Sequence, residues 1–196
     1  MGKVTYIKKA RKEHKCRKCG VVIPVGAPYY KGEINFHPDI VRCIGCKLER
    51  WEVTTSEYAL SVGEIVFKWK ENYDIGEETP TDIAESLQEI LDECQEKLDN
   101  MPESLQCSPT GEILQERIDN LESVIGDLEA IDIEDLKSQS VESVMAELDD
   151  YDEEKTYNYD EEVEKGQENG IADDLTSDLN GRIEQEIEDA LSSVEV

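Results

Sequence analysis

The chain has 196 residues, 38% of them hydrophobic and 35% charged, with 20 Lys/Arg against 48 Asp/Glu for a formal net charge of −28. Globular domains run about 45–50% apolar and about 25% charged, so a single thick core is excluded in favour of a small module with an extension built on thin apolar seams. Charge locates the join: residues 1–50 carry 12 Lys/Arg and 4 Asp/Glu, a net of +8, while residues 51–196 carry 8 and 44, a net of −36.

No run of about 18 apolar residues occurs, so no transmembrane helix is expected. Met1 to Lys18 is basic without an apolar stretch behind it, which is not a secretory signal. The expected compartment is the cytoplasm, where thiols stay reduced and cysteines serve metals more often than disulfides.

Residues 1–53 read as a basic zinc-binding module of α+β class. After a short apolar pulse at Val4–Ile7 come short strands and turns: Val21–Val25, a Gly26-Ala27-Pro28 turn, Tyr29–Tyr30 and Glu33–Phe36. Cys16-x-x-Cys19 and Cys43-x-x-Cys46, 23 residues apart, are the sharpest signal in the chain. Each pair turns two sulfurs to one side of a tight knuckle, and two knuckles supply the four thiolates that a structural zinc ion takes. Gly20 follows the first pair, where a left-handed backbone is common. Lysines and arginines nearby favour the thiolate form. A rubredoxin-like iron site uses the same pairs, and His37 or His14 could replace a cysteine, but four thiolates on zinc is the favoured set. With four protein ligands no coordination position stays open, so the ion is expected to be structural and the protein is expected not to be an enzyme. A His-Asn-His nuclease would need more histidines than His37 between the knuckles.

Lys8, Lys9, Arg11, Lys12, Lys15, Arg17 and Lys18 form a candidate nucleic-acid surface, with Tyr29 and Tyr30 available for stacking.

Residues 54–75 read as a capped amphipathic helix. Thr54 and Glu57 have capping-box spacing, Tyr58, Val62, Ile65, Val66, Trp69 and Tyr73 share one face, and Gly76 is the expected stop. Residues 76–80 read as a hinge. Residues 81–131 read as an acidic helical hairpin with two seams, Ile83, Leu87, Leu91, Cys94, Leu98, Met101 and Leu114, Ile118, Leu121, Ile125, Leu128, Ile131, joined by a connector over 102–111. A continuous dimeric coiled coil is the rival, broken by Pro102 and Pro109. Cys94 reads as a buried hydrophobe and Cys107 as a free thiol.

Residues 132–148 read as a weaker helix, residues 149–170 as an acidic disordered linker, and residues 171–196 as a C-terminal amphipathic helix. The spacing of Asp150, Asp152, Glu154 and Glu161 imitates a calcium loop, but Lys155 stands where the sharp turn requires Gly, so a solvated acidic run is the better reading.

Several stretches are similar to small tailed-bacteriophage proteins that carry a poly(ADP-ribose) polymerase-like zinc finger followed by an acidic helical region: Cys16-x-x-Cys19-Gly20, Arg42-Cys43-x-x-Cys46, Thr54-Thr55-Ser56-Glu57, the run from Gln95 to Glu103 and the run from Gly111 to Ile118. The resemblance covers about residues 1–130. It implies a structural Zn2+ in a head of treble-clef or zinc-ribbon type, followed by a mainly α-helical hairpin or coiled-coil extension, in a phage protein of the host bacterial cytoplasm.

The function expected from residues and resemblance together is non-enzymatic binding. The basic head contacts nucleic acid or a nucleic-acid-bound protein. The acidic helices meet a host or phage protein, or a second copy as a homodimer, and no membrane is involved. The alternative is an acidic DNA mimic or decoy aimed at a host defence or transcription protein.

Overall fold

The computed structural model describes residues 2–146, 157–166 and 171–194. The chain divides into two compact units, one up to Glu64 and one from Ile65 onward.

In the first unit, β1 (Lys3–Ile7), β4 (Tyr29–Glu33) and β5 (Ile40–Cys43) form an antiparallel sheet in the order β1-β4-β5, and β2 (His14–Lys15) pairs with β3 (Val22–Ile23) as a small hairpin. The strands differ from the sequence reading. Val21–Val25 shortens to Val22–Ile23, Glu33–Phe36 is strand only at Glu33, and β5 was not foreseen. Phe36 takes a left-handed φ of 62° in the turn beyond β4 and is fully exposed. The core is small. Ala10, Cys16, Ile23 and Tyr29 are buried together, with Ile7, Ala27, Val41, Cys43 and Cys46 packed on them. Beside them Leu48, Trp51 and Val53 are buried, and the loop that holds them is tied to β5 by an Arg42–Glu52 ion pair of 2.7 Å.

The next element, α1 (Glu57–Asn72), starts later than the capping box implies. Ser56 Oγ accepts from Ala59 N–H at 3.3 Å, and Ser56 C=O accepts the first helical bond, from Leu60 N–H. Ser56 is therefore the cap. Thr54 Oγ1 instead accepts from Ser56 N–H, so the Thr54–Glu57 box does not form. A Cβ on Gly63 would stand 2.4 Å from the Trp51 ring, so only glycine lets this helix lie on that ring. The helix also ends before Gly76, at Asn72.

The boundary between units falls inside α1. In the second unit, α2 (Thr79–Asp99) and α4 (Pro109–Glu129) are each about 30 Å long. The short segment between them cannot run back along a helix of that length, so they form the expected antiparallel hairpin. Both prolines open helices where breaks or hinges were expected. Pro80 sits in the first turn of α2, and Pro109 follows the Ser108 cap of α4, positions where a missing N–H costs no bond. The hinge is thus shorter than 76–80, and the connector 102–111 contains a one-turn helix, α3 (Glu103–Gln106), and the start of α4. Thr79 is buried, and its hydroxyl donates to Asp74 C=O and accepts from Gly76 N–H, which organises the turn into α2.

Beyond the hairpin follow α5 (Ile133–Met145), α6 (Tyr159–Gly166) and α7 (Ile171–Leu191). The last of these is no free tail. Leu175, Leu179, Ile183 and Ile187 are fully buried, and α7 lies on α4, α5 and α6. Of the expected seams, Ile83, Leu87, Leu91 and Cys94 and Leu114, Ile118, Leu121, Ile125 and Leu128 are buried, with Val124 added, while Leu98, Met101 and Ile131 at the ends are only half-buried. A helical bundle results, not an extended coiled coil.

The expected linker 149–170 needs correction in part. Residues 159–166 are helical, and Tyr157, Tyr159 and Val163 pack against Val141, Met145 and Leu175. Asn158 caps the helix by accepting from Glu161 N–H. Lys137, 11% exposed at its side chain, lies within ion-pair distance of Glu77 (2.9 Å), Glu134 (3.4 Å) and Asp160 (3.7 Å) and 5.7 Å from the Tyr159 ring centroid. One lysine thereby offsets carboxylates that composition alone counts as repulsive. Leu148, residues 149–156 and residues 167–170 lie outside the described residues.

Leu121 has no exposed surface in this bundle. Leu121→Ala is expected to lower unfolding stability by about 3 kcal/mol, read as a lower urea midpoint with an unchanged slope.

Candidate metal centre and basic cleft

The two C-x-x-C turns are carried by strands. Cys16 follows β2, and Cys43 is the last residue of β5. In the first turn Gly20 N–H donates to Cys16 C=O at 3.0 Å, and Gly20 takes the left-handed φ of 75° that closes it. Cys16 N–H donates to Val21 C=O and Arg17 N–H to Val41 C=O, both at 2.9 Å, so this turn is held against β5. In the second turn Cys46 N–H donates to Cys43 C=O at 3.0 Å.

The result gathers four sulfurs. Sγ of Cys16, Cys19, Cys43 and Cys46 all lie within 4.8 Å of one another, and Cys19 Sγ is 3.6 Å from Cys43 Sγ. Tetrahedral zinc with bonds of about 2.3 Å sets its sulfurs about 3.8 Å apart. The donor set therefore fits a tetrahedral metal ion such as zinc, and all four ligands named from the sequence are in it. Neither histidine joins them. His14 stacks on Tyr29 with ring centroids 4.8 Å apart, and His37 is exposed.

Electrostatics point the same way. Burial opposes ionisation of Cys16, but the backbone N–H groups of Cys19, Cys43 and Lys18 aim at its sulfur and outweigh it, bringing the thiol down to about 6. With that charge in place the neighbours resist theirs. Sharing hydrogens with Cys19 raises Cys43, and Cys46 is pushed up to about 12 chiefly by Cys19 and then by burial. Four thiolates at this spacing are stable together only around a cation.

The other cysteines stand apart: Cys94 is buried in the α2 seam, where burial raises its thiol, and Cys107 is exposed.

All seven basic residues named from the sequence are exposed, and among the described residues none pairs with a carboxylate. They divide into two groups. Lys15, Arg17 and Lys18 ride on and beside the first turn. Lys8, Lys9, Arg11 and Lys12 line a cleft of about 820 Å³ together with Tyr6 and His14. The segment that carries these four is fixed at its middle. Ala10 is buried, donates from its N–H to Ala27 C=O and accepts from Gly26 N–H, each at 2.8 Å.

The tyrosines exchange the roles expected of them. Tyr29 is 8% exposed and belongs to the core, so it is not free to stack on a ligand. Tyr6, which the sequence reading passed over, is 49% exposed and sits across from Tyr30 with ring centroids 5.4 Å apart. Its signal in the sequence was the alternation of Lys3-Val4-Thr5-Tyr6-Ile7, which puts Tyr6 on the face opposite Ile7. Lys31 and Asp39 also line the cleft, paired with each other at 3.1 Å.

No protein-family model, curated protein or solved structure matches the chain. No helix among the described residues is long and apolar enough to cross a membrane.

Two outcomes test the metal centre. Cys16→Ser is expected to lose stoichiometric metal and to unfold the first unit, read by metal analysis and circular dichroism, because metal binding and folding are one equilibrium in such modules. Metal uptake is expected to release protons at pH 7, since Cys43 and Cys46 are held as thiols until the metal displaces them. The apparent affinity for cobalt should therefore rise with pH and weaken as pH falls from 8 to 6, read from the thiolate-to-cobalt absorption band.

Proposed function

We propose that this protein is a non-enzymatic binding protein in which a structural zinc ion on Cys16, Cys19, Cys43 and Cys46 holds a basic head that contacts nucleic acid, either directly or beside a nucleic-acid-bound protein. The observation that carries this reading is the row of unpaired cations from Lys8 to Lys18 on the module that the metal would rigidify. Phosphate contacts need charges that no internal partner neutralises. A ribbon-type head is supported over a treble clef by Cys43–Cys46 following a strand, with the first helix starting at Glu57. The four-sulfur donor set leaves no open coordination position, which supports a structural ion and a role without catalysis. The acidic helical bundle serves as a protein-interaction surface, in a partner or in a second copy. Likeness in the residues quoted above supports a phage origin and a bacterial cytoplasmic setting.

One observation favours a second reading. A net charge of −36 over residues 51–196 suits a decoy that occupies a cationic groove on a DNA-binding protein.

The two are separated with the full chain. Under the first reading, the metal-loaded protein shifts labelled nucleic acid at 50 mM salt, and binding falls steeply by 200 mM. The double variant Lys9→Glu/Lys12→Glu should weaken binding about ten-fold or more while keeping its metal. An unchanged affinity in that variant would remove the head from the interface. Capture of a DNA-binding protein by the full chain, resistant to nuclease and indifferent to the double variant, would replace the first reading with the second.

A further inference from the structure

We propose, resting on the nucleic-acid reading above, that the ligand of the head is a single strand, held with its phosphates on Lys8, Lys9, Arg11 and Lys12 and one base stacked on Tyr6. Three observations converge on this. First, the cations form the wall of a concave cleft, not a convex or flat patch. A duplex presents a broad cylinder with its base faces hidden in the stack, whereas a single strand enters a cleft and can turn a base outward. Second, an aromatic ring stands where such a base would lie. Tyr6 lines the cleft and is 49% exposed, while its cross-strand partner Tyr30 lies against it at 5.4 Å between centroids. The ring is thus supported from the sheet and half exposed in the lining of the same cleft as the cations. Third, the cleft is preorganised. Ala10 is bonded to Gly26 and Ala27 through both of its backbone groups, so the backbone that carries Lys9 and Arg11 is already placed and only their side chains are ordered on binding. The carboxylate in the wall, Asp39, is paired at 3.1 Å with Lys31, which it shares with Glu33 at 2.5 Å, so this edge of the cleft keeps a net negative charge opposite the four cations.

Base stacking reads no hydrogen-bonding edge, so the site is expected to tolerate any sequence. Four phosphate contacts on a single strand correspond to a slope of about −3 in log affinity against log salt.

The test uses the full metal-loaded chain and fluorescence anisotropy, with a 12-nucleotide single strand as DNA and as RNA, and a hairpin duplex of the same sequence. The expected result is at least about ten-fold tighter binding of one or both single strands than of the duplex. Tyr6→Ala should weaken single-strand binding about ten-fold and leave duplex binding unchanged, and Tyr6→Phe, which keeps the ring, should restore it. A single strand carrying 5-iodouracil, irradiated on the unmodified chain, should give its main adduct at Tyr6. This arm holds even if Tyr6→Ala loses its fold. Equal affinity for single strand and duplex, or adducts only at residues outside the cleft, would overturn the inference while leaving a nucleic-acid-binding head intact. Failure to bind any of the three probes at 50 mM salt would overturn both.

Discussion

The first unit depends on a cluster of sulfurs that repel one another as anions. Its hydrophobic core is too thin to hold a fold of this size by burial alone, with Ala10, Cys16, Ile23 and Tyr29 at its centre. Cys16 is itself one of those core residues, and Cys43 and Cys46 pack at the margin, so the ligand cluster is built into this part of the core. A cation there converts mutual repulsion into a cross-link between β2–β3 and β5. Ala10, between the cations of the loop 8–12, is bonded to the Gly26–Ala27 turn that packs on the same core, so a metal there would also steady that loop.

The second unit solves a different problem, with no cross-link and a large excess of negative charge. Its helices carry their apolar residues in single stripes: those of α2 and α4 cover one another, and α7 packs on α4, α5 and α6. Local ionic compensation is applied where chain segments meet. Lys137 gathers Glu77, Glu134 and Asp160, and Lys70 on α1 bonds to Glu184 and Glu188 on α7. Exposed pairs such as those of Lys70 contribute little stability. Their role is to keep acidic helices from repelling at the lines of contact. Most of the other described carboxylates face solvent, where screening weakens their repulsion and leaves a strong negative field around this unit.

Much of this was legible in the residues. C-x-x-C spacing is a local geometric instruction, and so is apolar recurrence at three and four residues, so the ligands and the helical seams could be read without knowing what they pack against. Capping and helix starts were read less well. Thr54 and Ser56 are both competent caps, and the helix uses Ser56, whose hydroxyl accepts from Ala59 N–H while Thr54 Oγ1 turns to Ser56 N–H. Pro102 and Pro109 do interrupt the helical run as expected, but Pro80, in the expected hinge, and Pro109 also open the helices that follow, since a proline in a first turn forfeits no hydrogen bond. The helix α6 was hidden by composition, because its support comes from Lys137 and Met145, more than ten residues upstream.

The sequence by itself determined the metal ligands, the basic head, the acidic body and the periodic faces of the long helices. Each rests on spacing or charge within a short stretch of chain. Only the tertiary structure decided that Tyr29 is core while Tyr6 is exposed, that four of seven cations line one cleft while three stay by the metal turn, and that α7 closes the hairpin. These depend on strand pairing and helix packing between residues far apart in the chain. The physical reason is that a side chain's exposure is fixed by whatever covers it, and that neighbour is supplied by the fold rather than by the adjoining sequence.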